Sequence, residues 1–525
     1  MRENSIRENR EILKSPDDLQ AGRPGKAKSR NPGMNDLRKS DGPIVPTNSP
    51  NNERPCSAEV REGRGPAKGN ASANRVPWTL SQMVASPGLI RVRQAAQRQP
   101  PVCFTNLLHH VTVKLLQESY LRLNPKAVQG VDQTSWSDYG LNLQENLRNL
   151  HVSIHRGTYR PLPSKRAYIP KANGKQRPIG IASLQDKIVQ GAVVAVLNGI
   201  YECDFRGFSY GFRLKRSQHD ALDSLVVGLS ESGVNYVLDA DISGFFDNID
   251  QDWMEKFLQH RIKDERVLRI IRMWLKAGIS EDGDWSECET GTPQGSVISP
   301  LLANIYLHYV LDLWAEHWRK TKGTGKMVIV RYADDFVIGF SNVKDALRFK
   351  QELKERFRKF NLELHPDKTR LIKFGARIYN KKRRRRGKGK PKTFDFLGFT
   401  FYCTKATTGH FQIGRQTMRQ RMTLKLRKIG KLLKWNRHKP VSEQGKWLRR
   451  VVNGYFNYHA IPGNRDALWR FRKAVARLWF IALRRRSQRH GMNWVKMGKL
   501  VKTFIPKAKI KHPNPFERFY AKYPR

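Results

Sequence analysis

The chain has only five cysteines among 525 residues, and Cys56, Cys103, Cys203, Cys288 and Cys403 are scattered with no CxxC pair. That scatter disfavours a disulfide scaffold, a zinc ribbon and a zinc-type nuclease site, and it is the pattern of a cytosolic protein. No run of about 18 apolar residues occurs, which excludes a membrane-spanning helix. The opening residues MRENSIRENREILKSPDDLQ have no apolar core of the kind a secretory signal carries, so a cytoplasmic location is expected. Internal repeats are absent. Acidic residues are scarce: 46 Asp and Glu stand against 98 Lys and Arg, a formal charge of +52. A surface so positive repels itself unless it meets a polyanion. Nucleic acid is the expected partner, with an anionic membrane surface the other candidate.

The residues that are present sort into regions. Residues 1–75 are rich in Asn, Pro, Gly, Ser and Arg without apolar periodicity, and read as a disordered basic extension. Segments 104–122 and 141–157 carry helical apolar spacing, so 76–150 is expected to be an N-terminal helical segment. RAYIPKANGKQRPIGI, 166–181, alternates around Asn173-Gly174 and predicts a β-hairpin. Helices are expected over 184–201, 267–278, 299–318 and from Asp345, with a buried strand over 234–240, a hairpin over 327–340 and a single strand over 393–402. Three basic amphipathic helices follow, on the faces Met418–Leu433, Trp447–Phe456 and Leu468–Ala482. The run KKRRRRGKGK, 381–390, is expected to be a phosphate-contacting loop. Residues 491–525 read as a basic tail.

The chemistry concentrates at VRYADDFVIGF, where Asp334 and Asp335 sit side by side at a hairpin tip. Two carboxylates about 4 Å apart repel by roughly 4 kcal/mol at an effective dielectric of about 20. A hairpin built to hold them usually has a cation between them, and hard oxygen donors with room for phosphate oxygens suit Mg²⁺. Two such ions form the clamp for in-line phosphoryl transfer, which needs a further carboxylate from another strand. ADISGFFDNID supplies Asp241 behind the apolar run Tyr236-Val237-Leu238, with Asp239 and Asp247 as weaker candidates. Upstream, the basic hairpin can present Lys171 and Arg177 to a triphosphate. Between the two carboxylate segments, GTPQGSVISP makes a tight turn whose Gln294 can hydrogen-bond a sugar hydroxyl.

The ordered set IPKANGKQRPIGIASLQDKIVQ, SYGFRLKRSQHDAL, DADISGFFDNID, GTPQGSVISPLLANIYLHYVLD, RYADDFVIGF, LELHPDKTRL and FDFLGF resembles the successive polymerase blocks of a bacterial group II intron reverse transcriptase/maturase, over about 125–402. RRVVNGYFNYHAIPGN and the helices of 415–490 resemble its thumb and RNA-binding domain. The resemblance implies an α+β right hand, with fingers and an antiparallel palm sheet over 151–402, then a helical thumb/maturase domain over 403–490. It implies Asp241, Asp334 and Asp335 as ligands of two Mg²⁺ ions, with Ile242 joining both the metal and the dNTP set. Lys171 and Arg177 fall where fingers grip the triphosphate, Gln294 where the deoxyribose is read, and Phe246 at the steric gate against a ribose 2′-OH, with Phe245 the second choice. Lys368 matches the lysine of the block before FLGF. Arg415, Arg419, Lys425, Arg427, Lys428 and Lys431 are the expected RNA contacts. Ser243, FRLKRS and GVDQ depart from the commoner family residues at their positions, and no paired CxxC of a DNA endonuclease follows.

The implied function is RNA-templated DNA synthesis by attack of a primer 3′-OH on a dNTP, coupled to binding, splicing and mobility of an intron RNA. The implied partners are that RNA, an RNA template, a DNA primer or target, and dNTPs. An RNA-binding splicing factor with incidental polymerase activity and a domesticated reverse transcriptase are the alternatives.

Overall fold

Alternating apolar runs pair into three sheets in the computed structural model, which describes residues 86–98, 102–170, 176–281, 284–286, 291–292, 295–384, 392–486 and 491–524. The strands are β1 (Ser164–Pro170), β2 (Gln176–Ile181), β3 (Tyr236–Ala240), β4 (Ile279–Glu281), β5 (Asp284–Ser286), β6 (Met327–Tyr332), β7 (Asp335–Phe340), β8 (Arg370–Lys373), β9 (Phe394–Phe396), β10 (Phe399–Lys405) and β11 (Phe411–Thr417). One sheet has the order β2-β1-β4-β5, the second β6-β7-β3-β8 and the third β11-β10-β9. The expected hairpin is β1 antiparallel to β2, with Ile169 opposite Arg177. The Asn173-Gly174 turn, Lys171 and Gln294 lie outside the described residues, as does the 1–75 extension. So does most of the 381–390 run, whose first residues close the helix Ala376–Arg384.

The β6-β7-β3-β8 sheet is antiparallel throughout and holds the candidate site. Its strands β6 and β7 are buried on both faces, from Val328 to Val330 and from Phe336 to Ile338, which is why they read as continuous apolar runs rather than alternating ones. Helices Gln218–Glu231 and Val343–Arg358 pack on it. Each opens on a side-chain cap: Ser217 Oγ accepts from Asp220 N–H in a capping box, and Asn342 accepts from Asp345 N–H. The helix Leu184–Asp204 is apolar almost all round, and its Ile188, Ala192, Val196 and Ile200 have no exposed surface to speak of.

Four expectations change. The helix expected over 299–318 is interrupted: Ser299–Leu307 and Leu313–Thr321 are joined by a π turn at His308–Asp312. The widened turn sets Asp312, fully buried, against the guanidinium of Arg331. The single strand expected over 393–402 is a hairpin, β9 to β10, turning at Leu397 (φ 47°) and Gly398 (φ 84°). Leucine is a poor choice for that backbone, and Tyr458 Oη–H donates to the Leu397 carbonyl at 2.6 Å, so a tertiary contact holds what local propensity does not.

Residues 411–417, whose last three open the 415–490 stretch expected to be helical, form β11, and this corrects the placement of Arg415 among the RNA contacts. Its side chain is buried and ion-paired to Asp223 at 3.0 Å, out of reach of any nucleic acid. Nor is 491–525 a free tail. Helices Trp494–Phe504 and Pro515–Lys522 bury Met497, Pro515 and Phe519. The second helix lies on Gln218–Glu231, with Arg518 paired to the same Asp223, Tyr520 Oη–H donating to Glu231 at 2.6 Å, and Lys522 paired to Asp220 at 2.9 Å. Sparse apolar anchors among many cations hid these helices in the sequence.

Candidate active site and nucleic-acid face

The register of two neighbouring strands brings the aspartates together. On β7, Phe336 pairs with Ala240 of β3, and Asp335 pairs with Tyr332 of β6. The ladder ends there, and Asp241, the next residue after Ala240, lies near enough to Asp335, the residue before Phe336, for its charge to act on it. Ala333 and Asp334 make the two-residue connection between β6 and β7, with Ala333 in the left-handed region at φ 57°. Asp241 is fixed from the other side: its carbonyl accepts from His365 N–H at 2.8 Å, and Ile242 bridges Leu364. The Ile242 side chain is buried, so only its main chain can face a ligand.

A buried network braces the turn. Arg331 has no exposed surface; its Nε–H donates to Asp312 Oδ1 at 2.7 Å, and Nη1–H to Asn304 Oδ1 at 2.9 Å and the Ala333 carbonyl at 3.0 Å. Asn304 Nδ2–H donates to the Gly211 carbonyl at 2.8 Å. Gly211 is pressed so close that a Cβ there would lie 2.3 Å from Ala333 N. Sequence reasoning passed over Arg331, Asp312, Asn304 and Gly211, although Arg331 and Gly211 stand within RYADD and SYGF; a charged residue in an apolar strand was the available signal.

The carboxylates are electrically crowded. Loss of water to the surrounding protein pushes Asp335 up to about 6, with the negative charges of Asp334 and Asp241 adding to the shift and Arg421 opposing it. Asp334 is raised for the same first reason, with Asp241 adding and Arg177 opposing. Arg177 of β2 is therefore within electrostatic reach of the pair. Asp335 nonetheless opens to solvent, and Asp334 and Asp241 are half-buried, so the trio faces outward. Asp241 is ion-paired with Lys368. Asp239, one strand position earlier on the same face, is paired with Arg370 at 2.9 Å.

The donor chemistry fits a hard divalent cation: carboxylates that are partly desolvated and mutually repelling lack the counter-charge such an ion brings. Among the described residues, however, no group of three or more Asp, Glu, His or Cys is gathered closely enough to hold a metal as it stands, and the Asp241 carboxylate is turned to Lys368.

Phe246, half-buried, and Phe245, buried, stack edge-on with ring centroids 5.3 Å apart. The Phe246 carbonyl accepts from Thr292 N–H at 2.9 Å, while on the far side of the PQ dipeptide Ser296 Oγ–H and Val297 N–H donate to Gln190 Oε1 at 2.8 and 2.9 Å. A Cβ at Gly295 (φ 114°) would lie 2.6 Å from the Gly180 carbonyl of β2. The segment flanking Gln294 is thus clamped between Phe246 and the hairpin that carries Arg177.

Beyond the third sheet, Arg419, Lys425, Arg427, Lys428 and Lys431 are all exposed on the helix Arg419–Trp435. A cavity of about 610 Å³ between this helix and Val441–His459 is lined by Arg421, Lys425, Lys428, Arg450 and Tyr458. Of the aromatics that fall among these cations in the sequence, Trp479 and Tyr455 are core, and the Tyr458 hydroxyl donates to the Leu397 carbonyl. No helix among the described residues is long and apolar enough to cross a membrane.

A mixed sheet-and-helix fold with Asp241, Asp334 and Asp335 at the ends of antiparallel strands, Arg177 within their electrostatic reach and a strongly cationic helical face has the parts a nucleotidyl-transfer enzyme acting on nucleic acid needs. The reverse transcriptase (RNA-dependent DNA polymerase) family profile matches residues 169–401, which include every one of the three aspartates. Protein YkfC of Escherichia coli is 32% identical over 335 residues, covering 55% of this chain and 87% of YkfC. The group II intron-encoded protein LtrA of Lactococcus lactis is 41% identical over 175 residues, covering 32% of this chain but 29% of LtrA. Nuclear intron maturase 1 of Arabidopsis thaliana is 29% identical over 92 residues, 18% of this chain and 13% of that protein. The chain belongs to the reverse transcriptases, RNA-directed DNA polymerases, and within them to the group II intron reverse transcriptase/maturase family.

Proposed function

We propose that the protein copies RNA into DNA at Asp241, Asp334 and Asp335 and uses its basic helical face to bind an intron RNA for splicing and mobility. The observation that carries this is the register that sets Asp241 beside the braced Ala333-Asp334 turn. In this reading the β6-β7-β3-β8 sheet is the palm, the β1-β2 hairpin belongs to the fingers, and the helices Arg419–Trp435, Val441–His459 and Arg465–Arg484 make the thumb and maturase domain.

Mg²⁺ held by the three carboxylates, with the Ile242 carbonyl, would supply Lewis-acid stabilisation of the primer 3′-oxygen and the departing pyrophosphate. The chain's own residues do the rest. Arg177, together with Lys171, offers positive charge to the triphosphate. Phe246 presents a ring edge where a ribose 2′-OH would project, and Gln294 reads the sugar from the clamped turn. Lys368 supplies the counter-charge to Asp241 in the substrate-free chain. Primer extension on an RNA template tests the assignment. Asp335→Asn is expected to abolish extension while leaving RNA affinity within about twofold, because one neutralised carboxylate hardly changes a field set by so many cations. Retained extension would overturn the site. The family includes proteins whose RNA is an intron, and sequencing the RNA that copurifies from the native host identifies the partner of this one.

A further inference from the structure

Between Arg419 and Arg486 the chain has twenty Lys and Arg against two acids, Glu443 and Asp466. In the middle of that field Trp435, the last residue of its helix, is 85% exposed, the most exposed large apolar side chain among the described residues. Among the described residues its indole meets no ring, hydrogen-bond or cation–π partner. By contrast, Trp494 stacks on Phe480 with centroids 4.1 Å apart, and Trp469 has Lys473 over its ring.

The backbone under Trp435 is fixed. The buried amide of Gln444 donates to the carbonyls of Asn436, Arg437 and Lys439 at 3.1, 3.0 and 2.9 Å, while its own oxygen accepts from Trp479 Nε1–H at 3.0 Å. Arg486 Nη2–H donates to the His438 carbonyl at 2.9 Å, and Arg437 Nη1–H to that of Arg485 at 3.3 Å. These bonds tie the end of Arg465–Arg484 and its trailing arginines to the turn that follows Trp435. Lys431, Lys434 and Lys439 are exposed around it.

We propose that Trp435 is a stacking platform for an unpaired base of the bound RNA, with the surrounding Lys and Arg holding the flanking phosphates; this rests on the RNA-binding reading above. An indole face accepts any base without regard to sequence, and a cationic surround tracks the backbone. The interior of a duplex has no free base face to offer, so the occupant is single-stranded. A protein partner fits less well: lysine is depleted at protein interfaces, and the exposed Lys431, Lys434 and Lys439 are close neighbours of Trp435 in the chain. The fixed turn spares the protein backbone an ordering cost on binding.

The test uses the full chain, a short mixed-sequence single-stranded RNA and a long duplex RNA, titrated over a range of salt. Trp435→Ala is expected to weaken single-strand binding by about 5- to 150-fold. Duplex binding, the melting temperature and the slope of log affinity against log salt stay as in the parent, because no cation is removed. Trp435→Phe retains most of the affinity, and Lys434→Gln lowers the salt slope instead. Unchanged single-strand binding in Trp435→Ala, or an equal loss on the duplex, overturns the platform. So does an RNA-independent dimer in the parent chain that Trp435→Ala dissolves, since the occupant is then protein. If the parent binds neither RNA, the RNA reading itself falls and takes this assignment with it.

Discussion

Replacing Arg331 with methionine separates the stability of the site from its geometry. The guanidinium neutralises Asp312 and also donates to the Ala333 carbonyl, so Arg331→Met leaves a fully buried carboxylate without a counter-charge and the turn without its donor. Removing one partner of a buried ion pair costs about 3–5 kcal/mol, roughly two to four powers of ten in an equilibrium. The double variant Arg331→Met/Asp312→Leu removes both charges and replaces them with apolar volume, so most of that loss is recovered. The Ala333 carbonyl stays without its donor in both variants. Urea unfolding midpoints and single-turnover primer extension are the two measurements. The single variant is expected to lose stability and activity, and the double to regain stability but not activity. A single variant that unfolds at the parent midpoint would show that the pair carries no net weight. A double variant that regains extension along with stability would show that the turn holds its shape without Arg331, and the brace would be refuted.

Gly211→Ala puts a methyl against Ala333 N, where the neighbour is backbone and must shift. An overpacking cost of about 1–3 kcal/mol is expected, with a larger proportional loss of primer extension than of melting temperature; an active variant of normal stability would show that the contact has slack. His459 is buried against Phe399 and Tyr455, and that burial, with Arg421 adding, lowers it to about 4. It is neutral in the fold, so its contribution is whole above the unfolded value of about 6.5 and is lost as pH falls from there through about 4, by up to about 3 kcal/mol. The stability gap between the parent and His459→Gln should therefore be constant at neutral pH and shrink on acidification, whereas curves that stay parallel down to about pH 4 would contradict the sign.

What the sequence determined by itself was the order and type of the elements that carry chemistry. Period-2 and continuous apolar runs placed β1, β2, β3, β6 and β7, because burial on one face or two leaves a pattern in the residues themselves. The adjacency of Asp334 and Asp335 was legible because like charges side by side demand a reason, and the ordered motifs added Asp241. Other features were decided elsewhere in the chain. Leu397 turns because Tyr458, sixty-one residues on, holds its carbonyl. The helix of 299–318 opens into a π turn, which lets Asp312 meet Arg331. Arg415 reads like its basic neighbours but faces Asp223, and the C-terminal residues read as a tail until their few apolar anchors find the helix Gln218–Glu231. In the same way packing buries Tyr455 and Trp479, half-covers Trp447 and leaves Trp435 bare, since helical spacing shows that an aromatic has a face but not which neighbours will cover it. Local pattern determines an element; only the partners brought by tertiary structure decide which of its charges are neutralised and which of its rings stay bare.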